Sequence, residues 1–423
     1  MTPVLTLGIM GGAIILMLTR PKGINEAWFV LAGAVGMVAI GAVRVDEVPG
    51  IAGETSDVLL FLLGMMVLTG IAERAGVFEV LGEWVANLAR GSGRALYVLV
   101  FLLGATVTAT LSLDVTVITL TPVIYAITRR RGLPPVPFMF ACAFVANTAS
   151  LVFPMSNLTN LLLYEPLGLS FADFTRTMWF PNAVALITNL VVFLWLFRKE
   201  VPRAIPAIVT NEADPAMPRE PLAAGTWARI SAWGLGGTLV ALFALGLAGY
   251  PLWWASIAGA AIMLGAAATT RRITLGQLSD DVSVPLYVFV IAMTVLVRGV
   301  EHTWLEGWSL AVPDGTFPVI VTGVVAGAVG SNVVNNIPMA VFARSALETV
   351  QGQERDLLAY ATLIGTNIGP ALTTYGSLAT MLWLTLIRKR GMDVTTSHYL
   401  RVSIVTVPIV LLTTTLALWA VAH

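Results

Sequence analysis

Four long apolar stretches of this chain, 95–128, 136–163, 317–344 and 357–387, are interrupted at their middles by polar residues. The interruptions read "TLSLDVT" (110–116), "NTASLVFPMSN" (147–157), "SNVVNN" (331–336) and "NIGPALTTYGS" (367–377). This pattern limits the fold more than any other feature. Residues 95–128 and 317–344 are too long for one span and too short for two clean ones. They read as re-entrant hairpins with their polar parts at the tips, Ser112 and Thr116 belonging to the first. Residues 136–163 and 357–387 read as spanning helices that unwind midway, where Pro154, Gly369, Pro370 and Gly376 supply the breaks.

The rest of the sequence supplies the setting. Of 423 residues, 57% are hydrophobic and only 11% charged, whereas soluble domains carry about 25% charged residues. The chain therefore reads as a polytopic membrane protein. Single spans are expected near 3–19, 27–43, 57–72, 180–197, 227–248, 251–268, 284–299 and 401–421, each long enough for a hydrocarbon layer of ~30 Å. Residues 3–19 lack a basic lead-in and a small-residue cleavage site, so they read as a retained span. The net charge is zero, which gives no sign of a nucleic-acid partner. A single cysteine, Cys142, excludes an internal disulfide and a multi-thiolate metal centre.

The interruptions recur along the chain. At a shift of about 220 residues, Asn147 falls on Asn367, Leu158 on Leu378, Ser112 on Asn332 and Thr116 on Asn336. Near a shift of about 228, Phe61 meets Phe289, Met65 meets Met293 and Glu73 meets Glu301. Five spans per repeat is an odd number, so the second repeat must be inverted. The expected architecture is an all-α membrane protein of about ten transmembrane helices plus two re-entrant hairpins, in two inverted repeats with helices broken at the midplane. Residues 1–198 form the first repeat, with hairpin 95–128. Residues 199–226 form a cytoplasmic linker, and 227–423 form the second repeat, with hairpin 317–344. With both termini outside, 19 of the 24 basic residues fall in cytoplasmic loops, as the positive-inside rule requires.

Irregular backbone at membrane depth is tolerated only where it lines protein or a wet cavity. The two tips and two breaks are therefore expected to converge on one site of neutral donors and acceptors, with half-helix ends adding partial charges. Such a site suits a small polyhydroxylated solute or a dehydrated ion. Interhelical glue is the plainer role for any single amide. Asp114 is the only acid expected inside a membrane segment, and such a carboxylate marks a proton or cation pathway by default; a helix cap or an arginine partner is the plainer role. Glu73 and Glu301 are expected at span ends, and Cys142 reads as packing. His302, His398 and His423 are expected in loops or at the terminus. Residues 79–90 are amphipathic and suit the membrane interface. No Walker A, H-E-x-x-H or Ser-His-Asp pattern is present. The chain thus reads as a transporter rather than an enzyme, with no cofactor and no metal site, driven by an ion gradient or by a separate subunit.

These same motifs carry a family likeness. "SNVVNNIPM", "NTASLVFPMSNLTN", "GTNIGPALTTYGSLATMLWL" and "LSLDVTVITLTP" resemble the ArsB arsenite/antimonite efflux family of the ion transporter superfamily, and the resemblance runs nearly end to end. It implies a multi-pass protein of the plasma (inner) membrane that exports neutral As(OH)3 or Sb(OH)3 in exchange for protons. It also implies optional association with a cytoplasmic ArsA-type ATPase. Residue by residue, it implies substrate contacts from Asn147, Ser156, Asn157, Ser331, Asn332, Asn335, Asn336, Asn367, Thr373 and Ser377, with proton coupling at Asp114. The chain departs from the family at Leu113 and Val115, where Asn and Gly often flank the aspartate. It departs again at Ala371, where a basic residue commonly follows "NIGP". A Na+/H+ antiporter or sodium-coupled carboxylate carrier on the same scaffold is the first alternative, and the membrane subunit of an ATP-driven pump the second. No Arg or Lys falls inside the predicted site, which weighs against a dicarboxylate, although bound sodium can take the place of a cationic side chain.

Overall fold

A computed structural model describes residues 2–205, 225–270, 282–305, 311–350, 352–392 and 394–422. The linker expected at 199–226 therefore lies largely outside the described residues. The described residues are helix and turn, with no strand among them.

The first half begins with α1 (Thr2–Thr19) and α2 (Glu26–Ala39). Asn25 starts α2 by accepting the amide of Ala27, the usual device for a helix N-terminus. A short α3 (Val48–Glu54) turns the chain into α4 (Ser56–Arg74), and the amphipathic α5 (Val77–Leu88) follows. Hairpin 1 comprises α6 (Gly93–Thr110), a tip at Leu111–Ser112, and a return arm. That arm is built from α7 (Leu113–Val115), a π-helical turn (Thr116–Leu120) and α8 (Thr121–Arg130). The first broken helix is α9 (Pro135–Thr148) and α10 (Leu158–Tyr164), and α11 (Phe171–Leu196) closes the half. Residues 79–88 of the stretch read as amphipathic are helical, within α5. Arg130 and Arg131 both grip Glu83 of α5, and Gly82 lets α5 sit on α8, since a Cβ there would lie 2.6 Å from Val123 and 2.9 Å from Ile127.

The second half repeats the plan. It runs through α12 (Thr226–Leu247), α13 (Leu252–Thr269) and α14 (Val284–Val300), the last extended by a π-helical turn (Glu301–Leu305). Hairpin 2 is α15 (Thr316–Val334) and α16 (Asn336–Glu348), joined at the single residue Asn335. The second broken helix is α17 (Gln353–Ile368), a 3-10 turn (Gly369–Leu372) and α18 (Leu378–Lys389), and α19 (Thr396–Val421) ends the fold.

Packing comes in matched pairs. α2 lies along α14 while α13 lies along α4; α6 packs on α9 while α15 packs on α17; α11 packs on α19. Exchange of partners between halves is what two oppositely oriented repeats require. Among the described residues, eight helices are long and apolar enough to cross a membrane, with shorter apolar helices at Pro3–Thr19, Glu26–Ala39 and Pro135–Thr148.

A close backbone approach joins α15 to α17. A Cβ at Gly327 would lie 2.6 Å from the carbonyl oxygen of Thr362, and one at Gly365 would lie 2.4 Å from that of Val324. Small residues spaced four apart (Gly323, Gly327; Ala361, Gly365, Gly369) let the two backbones touch, which is how membrane helices gain dispersion contact without a hydrophobic driving force.

Three details differ from the sequence reading. The tips align by their caps, so Ser112 corresponds to Asn335 rather than Asn332: each starts the return arm of its hairpin. The span expected from residue 180 begins at Phe171, because Ser170 caps it and Pro181 is accommodated inside the helix. His302 and His398 are helical rather than in loops: His302 lies in the π-helical turn that extends α14, and His398 in the first turn of α19, its ring 5.3 Å from that of Phe140.

Candidate functional site

The unwound segments are held by amide side chains. The first break opens where α9 ends at Thr148, and Asn157 closes it by capping α10 through the amide of Thr159. In the second break Ser377 does the same for α18 through the amide of Thr380. A freed backbone in the membrane must find partners from within the protein, and here the two breaks find each other. The Oδ1 of Asn367 accepts from Ser150 Oγ at 2.7 Å and from Asn157 Nδ2. Its Nδ2 donates to Asn160 Oδ1 at 2.9 Å and to the carbonyl of Leu363 at 2.7 Å. Asn160 in turn donates to the carbonyls of Ser150 (2.7 Å) and Phe153 (3.0 Å). Asn367 is therefore a hub with all its amide atoms engaged and none exposed.

Each hairpin tip is tied to the break of its own half. Ser156 Oγ donates to the carbonyl of Ala109 in hairpin 1 at 2.7 Å. Asn332 Nδ2 donates to the carbonyls of Ala328 and Gly369, both at 2.8 Å, and its Oδ1 accepts from Thr373 Oγ1 at 2.8 Å. Asn335 Nδ2 donates to the carbonyl of Tyr375 at 3.0 Å, and the Asn336 amide donates to that of Gly376 at 3.0 Å. Asn335 sits at φ 79°, ψ 156°, a conformation costly for any residue with a side chain, which persists only when its surroundings enforce it. Here its two side-chain bonds, to Tyr375 and from Ile337, supply that enforcement. Thr116 bonds Thr108 and the carbonyl of Ser112, bracing the first tip.

A cavity of about 290 Å³ lies beside this frame, between α4 and hairpin 1. Ser112, Asp114, Val115 and Thr119 form one wall, Phe61, Met65, Met66, Thr69 and Glu73 the other, and Met155 and Leu158 of the first break its end. From Asp114 it extends toward Glu73 and Ser283, at the ends of α4 and α14 on the side where most basic residues lie. No lysine, arginine or histidine lines it among the described residues. Asp114 makes no hydrogen bond or ion pair with any described residue. The sequence-predicted residues thus divide. Ser112 and Asp114 line the cavity. Ser156, Asn157, Asn332, Asn335, Asn367, Thr373 and Ser377 are engaged in the frame. Asn147 Oδ1, Ser331 Oγ and Asn336 Oδ1 are buried with no hydrogen-bond partner among the described residues. Ser150 and Asn160 were not singled out, although both lie within the quoted first-break motif. Met65, Met66 and Thr69 carried no local signal, because α4 reads as an ordinary apolar span.

At the opposite ends of these helices lies a charged cluster. Glu54 Oε2, at the end of α3, accepts from Arg298 of α14 and from Arg344 of α16, each at 2.8 Å. Arg344 also reaches Glu348 at 2.9 Å, Arg298 lies 3.5 Å from Glu301, and Ser345 donates to Glu301. These contacts bind hairpin 2 to the ends of α3 and α14.

Oppositely oriented halves, paired hairpins and two unwound helices beside a cavity open toward one side define a multi-pass membrane transporter. The chain belongs to the CitMHS family, described as citrate transporters, whose model matches residues 13–365, within the ion transporter superfamily. Its relatives include the arsenical pump membrane protein of Escherichia coli, 26% identical over 415 residues and 95% of each chain. The fold is similar to the YdaH transporter of Alcanivorax borkumensis, with TM-score 0.55, 16% identity, and 88% of this chain and 87% of that one covered. It is also similar to MtrF of Neisseria gonorrhoeae, with TM-score 0.52, 15% identity, and 91% and 84% covered.

Proposed function

We propose that this chain exports trivalent arsenite or antimonite, as neutral As(OH)3 or Sb(OH)3, in exchange for protons. The observation that carries this reading is the lining of the cavity beside Asp114, which has carboxylates, hydroxyls and thioethers but no cationic side chain. A multiply charged carboxylate such as citrate would meet Asp114 with no cationic side chain in the lining to offset the repulsion, and an uncompensated charge away from water is strongly unfavourable. An uncharged pyramidal triol asks only for hydrogen-bond partners, which Asp114, Ser112, Thr69 and Thr119 offer. The name carried by the Escherichia coli relative points the same way.

Asp114 couples the two fluxes. As a carboxylate it accepts hydrogen bonds from the hydroxyls of the bound triol. Once it takes a proton from the opposite side it loses half its acceptor capacity, and the triol leaves. The unpartnered buried atoms of Asn147, Ser331 and Asn336 are further candidates for contact with the guest. Ser156, Asn157, Asn332, Asn335, Asn367, Thr373 and Ser377 keep the frame in shape. The basic side is cytoplasmic by the positive-inside rule, so the cavity is poised to load from the cytoplasm. Transport needs no nucleotide, and an ArsA-type ATPase is an accessory rather than a requirement.

The test is purified protein in proteoliposomes with an imposed proton gradient and no ATP. Arsenite should accumulate against its own gradient. Sodium-dependent citrate or succinate uptake without arsenite movement would overturn the proposal, and a strict need for an added ATPase would replace it with the pump reading.

A further inference from the structure

A second cavity lies outside the transport site, in the outer wall of the molecule where α6 begins and α11 ends. Arg94 and Arg198 stand at its rim, and Leu88, Val98, Leu99 and Leu194 form its floor. Both arginines are exposed, and neither forms an ion pair with a described residue. Arg198 lies over the ring of Trp195, 5.1 Å from its centroid. Trp195 is itself 56% exposed, and a tryptophan so placed marks the headgroup level of the bilayer. Below the rim the apolar floor continues along the lipid-facing sides of both helices, through Leu102 of α6 and Val191 of α11, which are 49% and 59% exposed. The cleft therefore has a cationic top at headgroup depth and a greasy channel running down into the hydrocarbon layer.

We propose that this cleft is a binding site for an anionic diacyl phospholipid, with the phosphate between Arg94 and Arg198 and one acyl chain along Leu99, Leu194 and Val191. Charge and shape select this occupant. Guanidinium groups match phosphate oxygens in two-point geometry, and basic pockets between membrane helices on the positive-inside face favour acidic headgroups. A soluble phosphate would leave the apolar channel empty, and a zwitterionic lipid would bring a positive group against two arginines. A contrasting cleft between α2 and α14, lined by Leu31, Val35, Val48 and Ile291 among others, has no polar rim. It offers nothing for a headgroup to select.

Native mass spectrometry of the full chain in detergent tests the assignment, with phosphatidylglycerol, cardiolipin and phosphatidylcholine added in turn. One acidic lipid per chain should be retained in preference to phosphatidylcholine. Arg94→Ala and Arg198→Ala should each weaken retention about fivefold, and the pair about thirtyfold; Arg229→Ala, which does not line the cleft, should not. Leu99→Trp, which fills the channel and keeps both charges, should also weaken it. Equal retention of phosphatidylcholine, or unchanged retention in both the double variant and Leu99→Trp, would overturn the site.

Discussion

At the scale of single residues, the proposed coupling rests on Asp114. It lines the cavity with no hydrogen-bond or ion-pair partner among the described residues, so the proposed role is electrostatic and not structural. Asp114→Asn keeps the shape and can still offer hydrogen bonds to the triol but cannot carry a proton. Gradient-driven arsenite transport should fall at least about a hundredfold, the usual scale for losing a proton-transfer group, while equilibrium binding measured by calorimetry falls far less. Retention of normal pH-dependent transport in this variant would remove Asp114 from the mechanism. A second carboxylate has a testable titration. Glu165, in the connection between α10 and α11, is raised to about 7, by burial first and by the nearby Asp57 second. The folded state thus holds a proton that the unfolded chain releases above the ordinary carboxylate range, so stability is highest at low pH and falls as pH rises toward 7. Glu165→Gln should melt higher than the parent at pH 8, with the difference vanishing near pH 5; no gain at pH 8 would show the carboxylate to be well solvated. Much at this scale was legible in the sequence. The amides and Asp114 stand out because polar side chains are costly in an apolar setting. Met65 and Thr69 do not, because nothing in a uniformly apolar helix says which of its faces borders a gap.

At the scale of elements, hairpins and breaks were legible to within a few residues, because Asn, Ser, Pro and Gly interrupt the apolar pattern where the backbone leaves the helix. The shift in cap alignment, Ser112 with Asn335, was not legible. A hairpin tip of two residues in one half and one in the other differs in length by less than sequence matching resolves. The seam between α15 and α17 depends on the absence of side chains. Gly365→Val would drive methyl groups into the backbone of α15 and should destabilise the protein by about 3 kcal/mol, the upper end of ordinary overpacking. Thermal unfolding in detergent reads this as a lowered midpoint; an unchanged midpoint would mean that the helices part easily. Gly236→Ala, with open space around it, should be silent.

At the scale of the whole molecule, the cavity lies toward one end of the helices while Glu54, Arg298 and Arg344 join helix ends at the other; on the proposed function that cluster is the closing contact. Partly exposed ion pairs contribute about 0.2–1 kcal/mol each. Removing Glu54 as its glutamine variant should therefore shift the balance between the two sides by about fivefold. The chain has one cysteine, so a Cys142→Ser background with Thr69→Cys gives a clean reporter. Labelling of Thr69→Cys from the basic side should slow in the Glu54→Gln variant, and unaltered labelling would show that the cluster is not a closing contact. None of this was legible in the sequence. Glu54, Arg298 and Arg344 are scattered over some three hundred residues of chain, and only the inverted packing brings them together.

The bonds around Asn367 carry a consequence for how cargo crosses. They fasten one half's kinked segment to the other's, and each of those is fastened to its own re-entrant loop. On the proposed function, a solute resting against any of these pieces would travel with all of them, like a passenger in a sealed cabin. The sliding seam would then lie between that cabin and the flanking wall of α2, α4, α13 and α14, and the lubrication of that seam would set the pace of the proposed export.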